Sequence, residues 1–130
     1  RAAQAIAARY SQAQLDELAT AAGWAIMEPA RNRTLAELAV RDTGLGSVED
    51  KINKNHRKTL GLMRDLKGAI STGVLAEIPE LGLTEIARPV GVVAAVVPST
   101  NPGATPANNI INALKCGNAV ILSPSPKGYS

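Results

Sequence analysis

The sequence has few of the residues that metal-binding, disulfide-bonded or membrane-spanning proteins need. Its 130 residues include one cysteine, Cys116, one histidine, His56, and no phenylalanine. A single cysteine excludes an internal disulfide, and one Cys with one His leaves no spacing typical of a metal site. No apolar run approaches the roughly 20 residues that span a bilayer, and no secretion signal is recognisable. We therefore expect a cytoplasmic protein with no membrane partner and no metal.

A strong charge of one sign is also absent. The chain has 14 Lys and Arg residues against 11 Asp and Glu residues, a net charge of +3. No basic stretch is interleaved with aromatic residues that would stack on bases, so we expect no nucleic-acid partner. Apolar residues make up 45% of the chain, which is enough to build a core. Because the chain begins with Arg and stops just after a Pro-rich turn, we expect it to be part of a larger protein.

The first half of the chain has the apolar periodicity of helices. Ser11 and Gln14 form the pattern of a capping box at the start of SQAQLDELATAAGWAIM. Pro29 interrupts the pattern, and a second apolar helix then runs to Gly44, a residue that commonly stops helices. The sequence therefore predicts two successive helices here.

A third helix is predicted over SVEDKINKNHRKTLGLMRDLKG. Ser47 is a suitable N-cap, and Glu49 and Asp50 complement the positive end of the helix dipole. The polar run 53–58, which contains His56, indicates a solvated or interdomain face rather than a catalytic base. The apolar residues form only a broken stripe, made of Ile52, Leu60 and Met63.

The pattern changes to that of β-structure after Gly68. Residues 69–90 contain turn residues and short β-prone runs, which predict a connector with one or two strands. GVVAAVV (91–97) and NAVIL (118–122) are apolar runs that suit parallel strands covered on both faces. We expect residues 89–126, with Lys115 as their one charged residue, to be the most deeply buried part of the chain.

A helix is predicted between these two strands. Thr105 is a suitable N-cap, Pro106 fits the first helical position, and Gly117 is placed to end the helix. A strand–helix–strand unit of this length implies a parallel sheet. The predicted fold class is therefore α/β: a helical N-terminal segment (1–68), then a connector and the opening strand–helix–strand of a Rossmann-like sheet (69–130).

Two loops lie where the strands of this sheet end. In open α/β sheets ligands bind beyond the carboxyl ends of the strands. PSTNPGATP and SPSPKG occupy that edge, and the first leads into a helix N-terminus, which can bind phosphate. The chain has no GxGxxG and no GxxxxGK[ST] motif. The spacing alone therefore leaves open a nucleotide half-site or an α/β domain with ordinary loops.

Two stretches resemble one enzyme family. ARPVGVVAAVVPSTNPGATPANNIINALKCGNAVILSPSPKG resembles the start of the cofactor domain of the aldehyde dehydrogenase superfamily, and TGLGSVEDKINKNH resembles a segment of its CoA-acylating branch. The resemblance implies the N-terminal part of an oxidoreductase that converts a short aldehyde to its acyl-CoA, with NAD or NADP as cofactor and coenzyme A as co-substrate. In that family a cysteine thiolate attacks the aldehyde, hydride passes to NAD(P)+, and CoA takes the acyl group. The family's nucleophile lies in a second domain outside this chain, so the incomplete fold alone is expected to be inactive.

The resemblance also implies roles for the first loop. Asn101 matches the family's Asn, whose side-chain amide donates to the developing oxyanion; its alternative role is that of a turn residue, since Asn-Pro favours turns. Four residues match positions that line the nicotinamide ribose and phosphates: Val97, Pro98, Ser99 and Thr100.

The second loop departs from the pattern of the hydrolytic members of the family. These have Lys-Pro-Ser/Ala-Glu after the second strand, and their Lys and Glu contact the adenosine ribose. Here the matching cofactor positions are Ser123, Pro124 and Pro126, without that Lys and Glu. The departure fits the acylating branch and leaves the choice of NAD or NADP open. Lys127 is a candidate partner for a 2′-phosphate, or else a solvated lysine.

Cys116 does not fit the role of the nucleophile. It precedes the helix-ending Gly117, at a helix C-terminus that disfavours a thiolate, so we expect it to serve packing.

Two alternatives to the acylating enzyme remain: a hydrolytic aldehyde dehydrogenase, and a non-catalytic nucleotide-binding or assembly piece. We expect a homo-oligomer, and the sequence does not identify the aldehyde substrate.

Overall fold

The computed structural model describes residues 2–129. In chain order, the elements within these residues are α1 (Ala2–Ala7), α2 (Gln12–Met27), α3 (Pro29–Thr43), α4 (Val48–Leu66), β1 (Gly73–Ile78), β2 (Leu83–Ala87), β3 (Val92–Val96), α5 (Ala104–Lys115) and β4 (Ala119–Ser123), with a short 3-10 turn at Pro79–Leu81 between β1 and β2. The predicted α/β class is confirmed. No helix in this part of the chain is both long and apolar enough to cross a bilayer.

Local capping explains where the N-terminal helices begin. At α2 the Gln14 backbone N–H donates to Ser11 Oγ at 3.3 Å, and Ser11 N–H donates to Gln14 Oε1 at 2.9 Å, so the predicted capping box is confirmed. Pro29 begins α3, where its missing N–H costs nothing. Ser47 Oγ accepts from the Asp50 N–H at 3.1 Å and begins α4.

The four strands form two small sheets. Strands β1 and β2 pair antiparallel as a hairpin. Strands β3 and β4 pair parallel, from Val92 opposite Ala119 to Val96 opposite Ser123. Helix α5 makes the crossover between them, so the predicted strand–helix–strand unit is confirmed.

The core lies between α5 and the helices that precede it. Helices α2 and α4 pack against α5, α3 packs against α4, and α5 packs against β3 and β4. The buried apolar residues come from α2, α3, β3, α5 and the residue that follows β3, and none comes from α4 or β4: Leu15, Ala19, Ile26, Ala36, Ala39, Ala95, Val97, Ala104, Ile111 and Ala113.

The expected deep burial of residues 89–126 is wrong. On the face of the β3–β4 sheet away from α5, Val92 is 43%, Val96 80% and Ile121 64% exposed. Uniformly apolar strands are typical of sheets covered on both faces. In the described part of the chain, helices cover one face alone, so the second face is open.

The predicted start of α5 is wrong by two residues, and its end is correct. Gly103, not Thr105, is the N-cap, and Pro106 lies inside the first turn. A proline is tolerated there because first-turn N–H groups have no intrahelical acceptor. Gly117 follows the helix with φ of 66°, and a Cβ on it would lie 3.2 Å from the Pro89 side chain. A glycine is therefore needed at this helix end.

Helix α4 buries a polar face, contrary to prediction. Lys51, Asn55 and Thr59, spaced one turn apart, are buried, whereas Leu60 is 47% exposed. The expectation that the run 53–58 is solvated is therefore wrong for Asn55 and correct for His56, which is exposed. Lys51 and Asn55 pack beneath the loop that follows β3, whereas Thr59 packs against Gly23 of α2.

Candidate functional site

The structure brings the two predicted loops to one edge of the sheet. The Val97 N–H donates to the Ser123 carbonyl at 2.9 Å, which extends the β3–β4 pairing to the point where both loops begin. Val97 itself is 3% exposed and anchors the first loop. The loops also meet further on, because a Cβ on Gly128 would lie 3.2 Å from the Pro102 side chain.

Asn101 lies half-buried in the middle of the first loop. Its backbone N–H donates to the Pro98 carbonyl at 3.4 Å, a long bond that closes a turn. Within residues 2–129 its side-chain amide has no hydrogen-bond partner. The amide is therefore available to donate to a ligand, while its backbone is held in a turn. Both roles considered from the sequence, turn residue and donor, are compatible with this geometry.

The backbone next to Asn101 is held by a lysine that was not predicted from the sequence as a site residue. Lys51 Nζ, on α4, donates to the Thr100 carbonyl at 3.1 Å, and Lys51 is 5% exposed. Burial and, to a smaller extent, the charge of Lys54 lower the pKa of the Lys51 amine from its ordinary value. A cation thus lies directly behind the loop that contains Asn101.

A buried pair of amides supports the other end of the same loop. Asn55 Nδ2 donates to Asn32 Oδ1 at 2.9 Å, and Asn32 Nδ2 donates to the Ile52 carbonyl at 3.2 Å. A Cβ on Gly103 would lie only 3.0 Å from Asn55 Oδ1, so the start of α5 rests directly on this amide. The signal in the sequence was the spacing of Lys51 and Asn55 by one helical turn, which places both on one face.

The remaining predicted cofactor residues line the open edge. In the first loop Ser99 is half-buried, and Pro98 and Thr100 are exposed. In the second loop the predicted residues Ser123, Pro124 and Pro126 are exposed, as is Lys127.

The N-terminus of α5 adjoins these residues without a side-chain cap. In the described chain the N–H groups of Ala104 and Thr105 have no acceptor. Unpaired first-turn N–H groups favour anions, so the edge fits a phosphate-bearing ligand such as a dinucleotide.

Cys116 lies away from this edge. It is the C-cap of α5 and precedes β4, at the end of the sheet opposite the two loops. It is exposed, so the expected packing role is wrong within the described residues. Its position at a helix C-terminus still disfavours a thiolate nucleophile.

Comparison with known proteins gives the family. Residues 2–129 match the model of the aldehyde dehydrogenase family. A sulfoacetaldehyde dehydrogenase (acylating) of Cupriavidus necator is 70% identical over 128 residues, which cover 98% of this chain and 26% of that protein. The crystal structure of an acetylating aldehyde dehydrogenase from Geobacillus thermoglucosidasius matches with a TM-score of 0.91 and 36% identity, covering 98% of this chain and 28% of that one.

A Rhodopseudomonas palustris propionaldehyde dehydrogenase, solved with bound CoA and an acylated cysteine, matches with a TM-score of 0.79 and 28% identity, covering 97% of this chain and 28% of that one. The chain thus spans about a quarter of the length of these relatives. It belongs to the aldehyde dehydrogenase family, and these relatives are of its acylating kind.

Proposed function

We propose that this chain is the N-terminal part of a CoA-acylating aldehyde dehydrogenase that oxidises a short aldehyde to its acyl-CoA. The 70% identity to the Cupriavidus necator enzyme over 98% of the chain carries this proposal. That relative acts on sulfoacetaldehyde by its name, and the stretch 98–128 also resembles that enzyme in sequence, so sulfoacetaldehyde is the proposed substrate. The absence of the hydrolytic Lys and Glu at 123–126 supports the acylating branch.

Asn101 is the proposed oxyanion donor. Attack on an aldehyde carbonyl moves negative charge onto its oxygen, and a donor already in place stabilises that charge in the transition state. The free amide on a turn-held backbone meets this requirement. A neutral donor also adds no charge that would oppose hydride departure.

The two loops and the α5 N-terminus are the proposed cofactor edge. The first-turn N–H groups and Ser99 would bind phosphates, and the exposed Ser123 and Pro124 would contact the adenosine ribose. NAD(P)+ supplies the hydride acceptor when bound. The edge lacks the acidic residue that would repel a 2′-phosphate, and Lys127 is exposed beside it. We therefore propose that NADP is usable as well as NAD.

The domain organisation, the oligomeric state and the cellular compartment are also proposals. Residues 1–68 would form the helical segment, and 69–130 the connector and the start of the NAD(P)-binding domain.

The β1–β2 hairpin exposes apolar side chains, with Val74 at 51% and Leu83 at 54%, which supports a homo-oligomer. Light scattering on the full-length protein tests this assembly. The single exposed thiol, Cys116, suits a reducing cytoplasm.

An assay with and without CoA tests the activity. The full-length protein is given sulfoacetaldehyde, or acetaldehyde as the analogue that lacks the sulfonate, with NAD+ or NADP+. The proposal expects CoA-dependent NAD(P)H formation and an acyl-CoA product detected by mass spectrometry. Turnover to the free acid without CoA would instead identify a hydrolytic enzyme. Nucleotide binding without turnover would identify a non-catalytic module.

A matched pair of variants tests the role of Asn101. Removing one oxyanion donor lowers kcat by roughly 10²- to 10³-fold, and Asn101→Ala should do so in the full-length enzyme. Asn112→Ala, the same substitution at an exposed position of α5, should leave kcat unchanged. A loss under threefold for Asn101→Ala would remove the assignment.

A further inference from the structure

The peptide unit that joins Thr100 to Asn101 is held at both of its polar atoms. Its carbonyl oxygen accepts from Lys51 Nζ at 3.1 Å, and its N–H donates to the Pro98 carbonyl at 3.4 Å. The plane of this peptide sets the direction in which the Asn101 side chain leaves the backbone, because φ of Asn101 is measured from it. The turn bond to Pro98 is long and weak. The bond from Lys51 is therefore the stronger of the two restraints.

Stability alone does not account for a lysine at this position. Lys51 is 5% exposed, and in the described chain it forms no ion pair with a carboxylate. It is also the fourth residue of α4, where the positive end of the helix dipole opposes a cation. Buried charges of this kind cost stability, and an apolar side chain of similar length is commonly tolerated or better.

We propose that Lys51 is a positioning residue, whose bond to the Thr100 carbonyl aims the Asn101 amide at the oxygen of the reacting aldehyde. This inference rests on the proposed function, since it requires Asn101 to be the oxyanion donor. Lys51 contacts neither substrate nor cofactor in this role and acts through the loop alone. Its effect belongs to the transition state, so it changes kcat and leaves the aldehyde and cofactor KM values unchanged.

The test is a double-mutant cycle in the full-length enzyme. Lys51→Met keeps the length of the side chain and removes the donor, and Lys58→Met makes the same change at an exposed position two turns further along α4. Because misplacing a catalytic group by about 1 Å can cost 10²-fold, Lys51→Met should lower kcat about 10- to 100-fold. Its KM values should stay within about twofold and its Tm should not fall, since a buried charge is removed. Lys58→Met should leave all of these values unchanged.

The double variant separates this inference from the proposed function. If Lys51 acts through Asn101, Lys51→Met adds no more than about twofold to the loss caused by Asn101→Ala. If Asn101→Ala reduces kcat and the two losses multiply, the positioning role is wrong and the proposed function stands. If Asn101→Ala itself has no effect, the proposed function is wrong. A rise in the KM of the cofactor with kcat unchanged would show that Lys51 serves binding instead.

A second pair of variants tests the positioning role of Lys51 if Lys51→Met does not fold. Lys51→Arg keeps a charged donor of similar reach, and Lys51→Gln is a shorter neutral side chain. The positioning role expects the Arg variant to retain kcat within about fivefold and the Gln variant to lose about tenfold or more. Equal kcat values in the Arg and Gln variants would overturn it.

Discussion

The buried amides of Asn32 and Asn55 allow a prediction whose size follows from their geometry. Asn32 Nδ2 donates to the Ile52 carbonyl, which can only accept, and this fixes Asn32 Oδ1 toward Asn55. Asn55 must then donate, and it does so at 2.9 Å. The substitution Asn55→Ala removes the donor and leaves the Asn32 oxygen without a partner in a site where Asn32 is 3% exposed.

The stability that Asn55→Ala is expected to cost is the sum of opposing effects. A buried acceptor without a donor costs about 1–3 kcal/mol. The missing atoms also leave a gap against Gly103, the N-cap of α5, on which the Asn55 side chain packs. The higher helix propensity of Ala returns about 0.7 kcal/mol. We expect a net loss of about 2 kcal/mol in the local stability of α4, equivalent to roughly 30-fold faster amide exchange.

Hydrogen–deuterium exchange on the full-length protein measures this loss in peptides from α4. Asn53→Ala is the matched control, because Asn53 is exposed on the same helix and should exchange no faster after substitution. The double variant Asn32→Ala with Asn55→Ala should cost less than the sum of the two single changes, since no unpaired partner remains. The reasoning would be refuted if α4 exchanged no faster in Asn55→Ala than in Asn53→Ala. It would also be refuted if the stability cost of the double variant equalled the sum of the costs of the two single changes.

Three further predictions concern the surroundings of the site. Gly103→Ala should lower Tm by an amount equivalent to about 1–3 kcal/mol, because its Cβ would lie 3.0 Å from Asn55 Oδ1; an unchanged Tm would show that the contact has room to relax. Asp16 forms an ion pair with the buried Lys115, whose hydrogen bond lowers the pKa of Asp16 below its ordinary 3.8. The stabilisation by this ion pair is therefore fully present above pH 3.8 and is lost as the pH falls through the lowered pKa of Asp16. The Tm difference between the wild type and Asp16→Asn should accordingly shrink on acidification. A Tm difference that does not depend on pH would contradict this. Lys127→Ala should raise the KM for NADP+ several-fold and leave that for NAD+ unchanged in steady-state assays, and equal effects would identify Lys127 as a surface lysine.

The elements that the sequence predicted correctly are those fixed by neighbouring residues. Ser11 with Gln14, and Ser47 with Asp50, satisfy helix N-termini within one turn, so the helix starts could be found from spacing alone. The parallel pair of strands followed from two apolar runs separated by a helix-length segment. The meeting of the two loops at one sheet edge then follows from the parallel direction of the strands.

The features that the sequence did not predict depend on residues far apart in the chain. Lys51 and Asn55 are polar residues that are usually solvated, and they are buried here because Thr100 and Asn32 supply their partners. Nothing in the local spacing of α4 identifies those partners. The candidate role of Asn101 came from the family resemblance, since an Asn-Pro pair by itself indicates only a turn.

The loop that contains Asn101 is held from two independent sides. On one side the Val97 N–H continues the β3–β4 pairing to Ser123, and on the other Lys51 reaches the Thr100 carbonyl from 49 residues earlier in the chain. The sheet fixes where the loop begins, and α4 fixes how its middle is turned. A change on α4 should therefore alter turnover while β3 and β4 stay paired, whereas a change in the strand pairing should displace the whole loop. Because orientation and placement are set by different elements, the helices that precede the sheet contribute to the proposed chemistry as well as to the core.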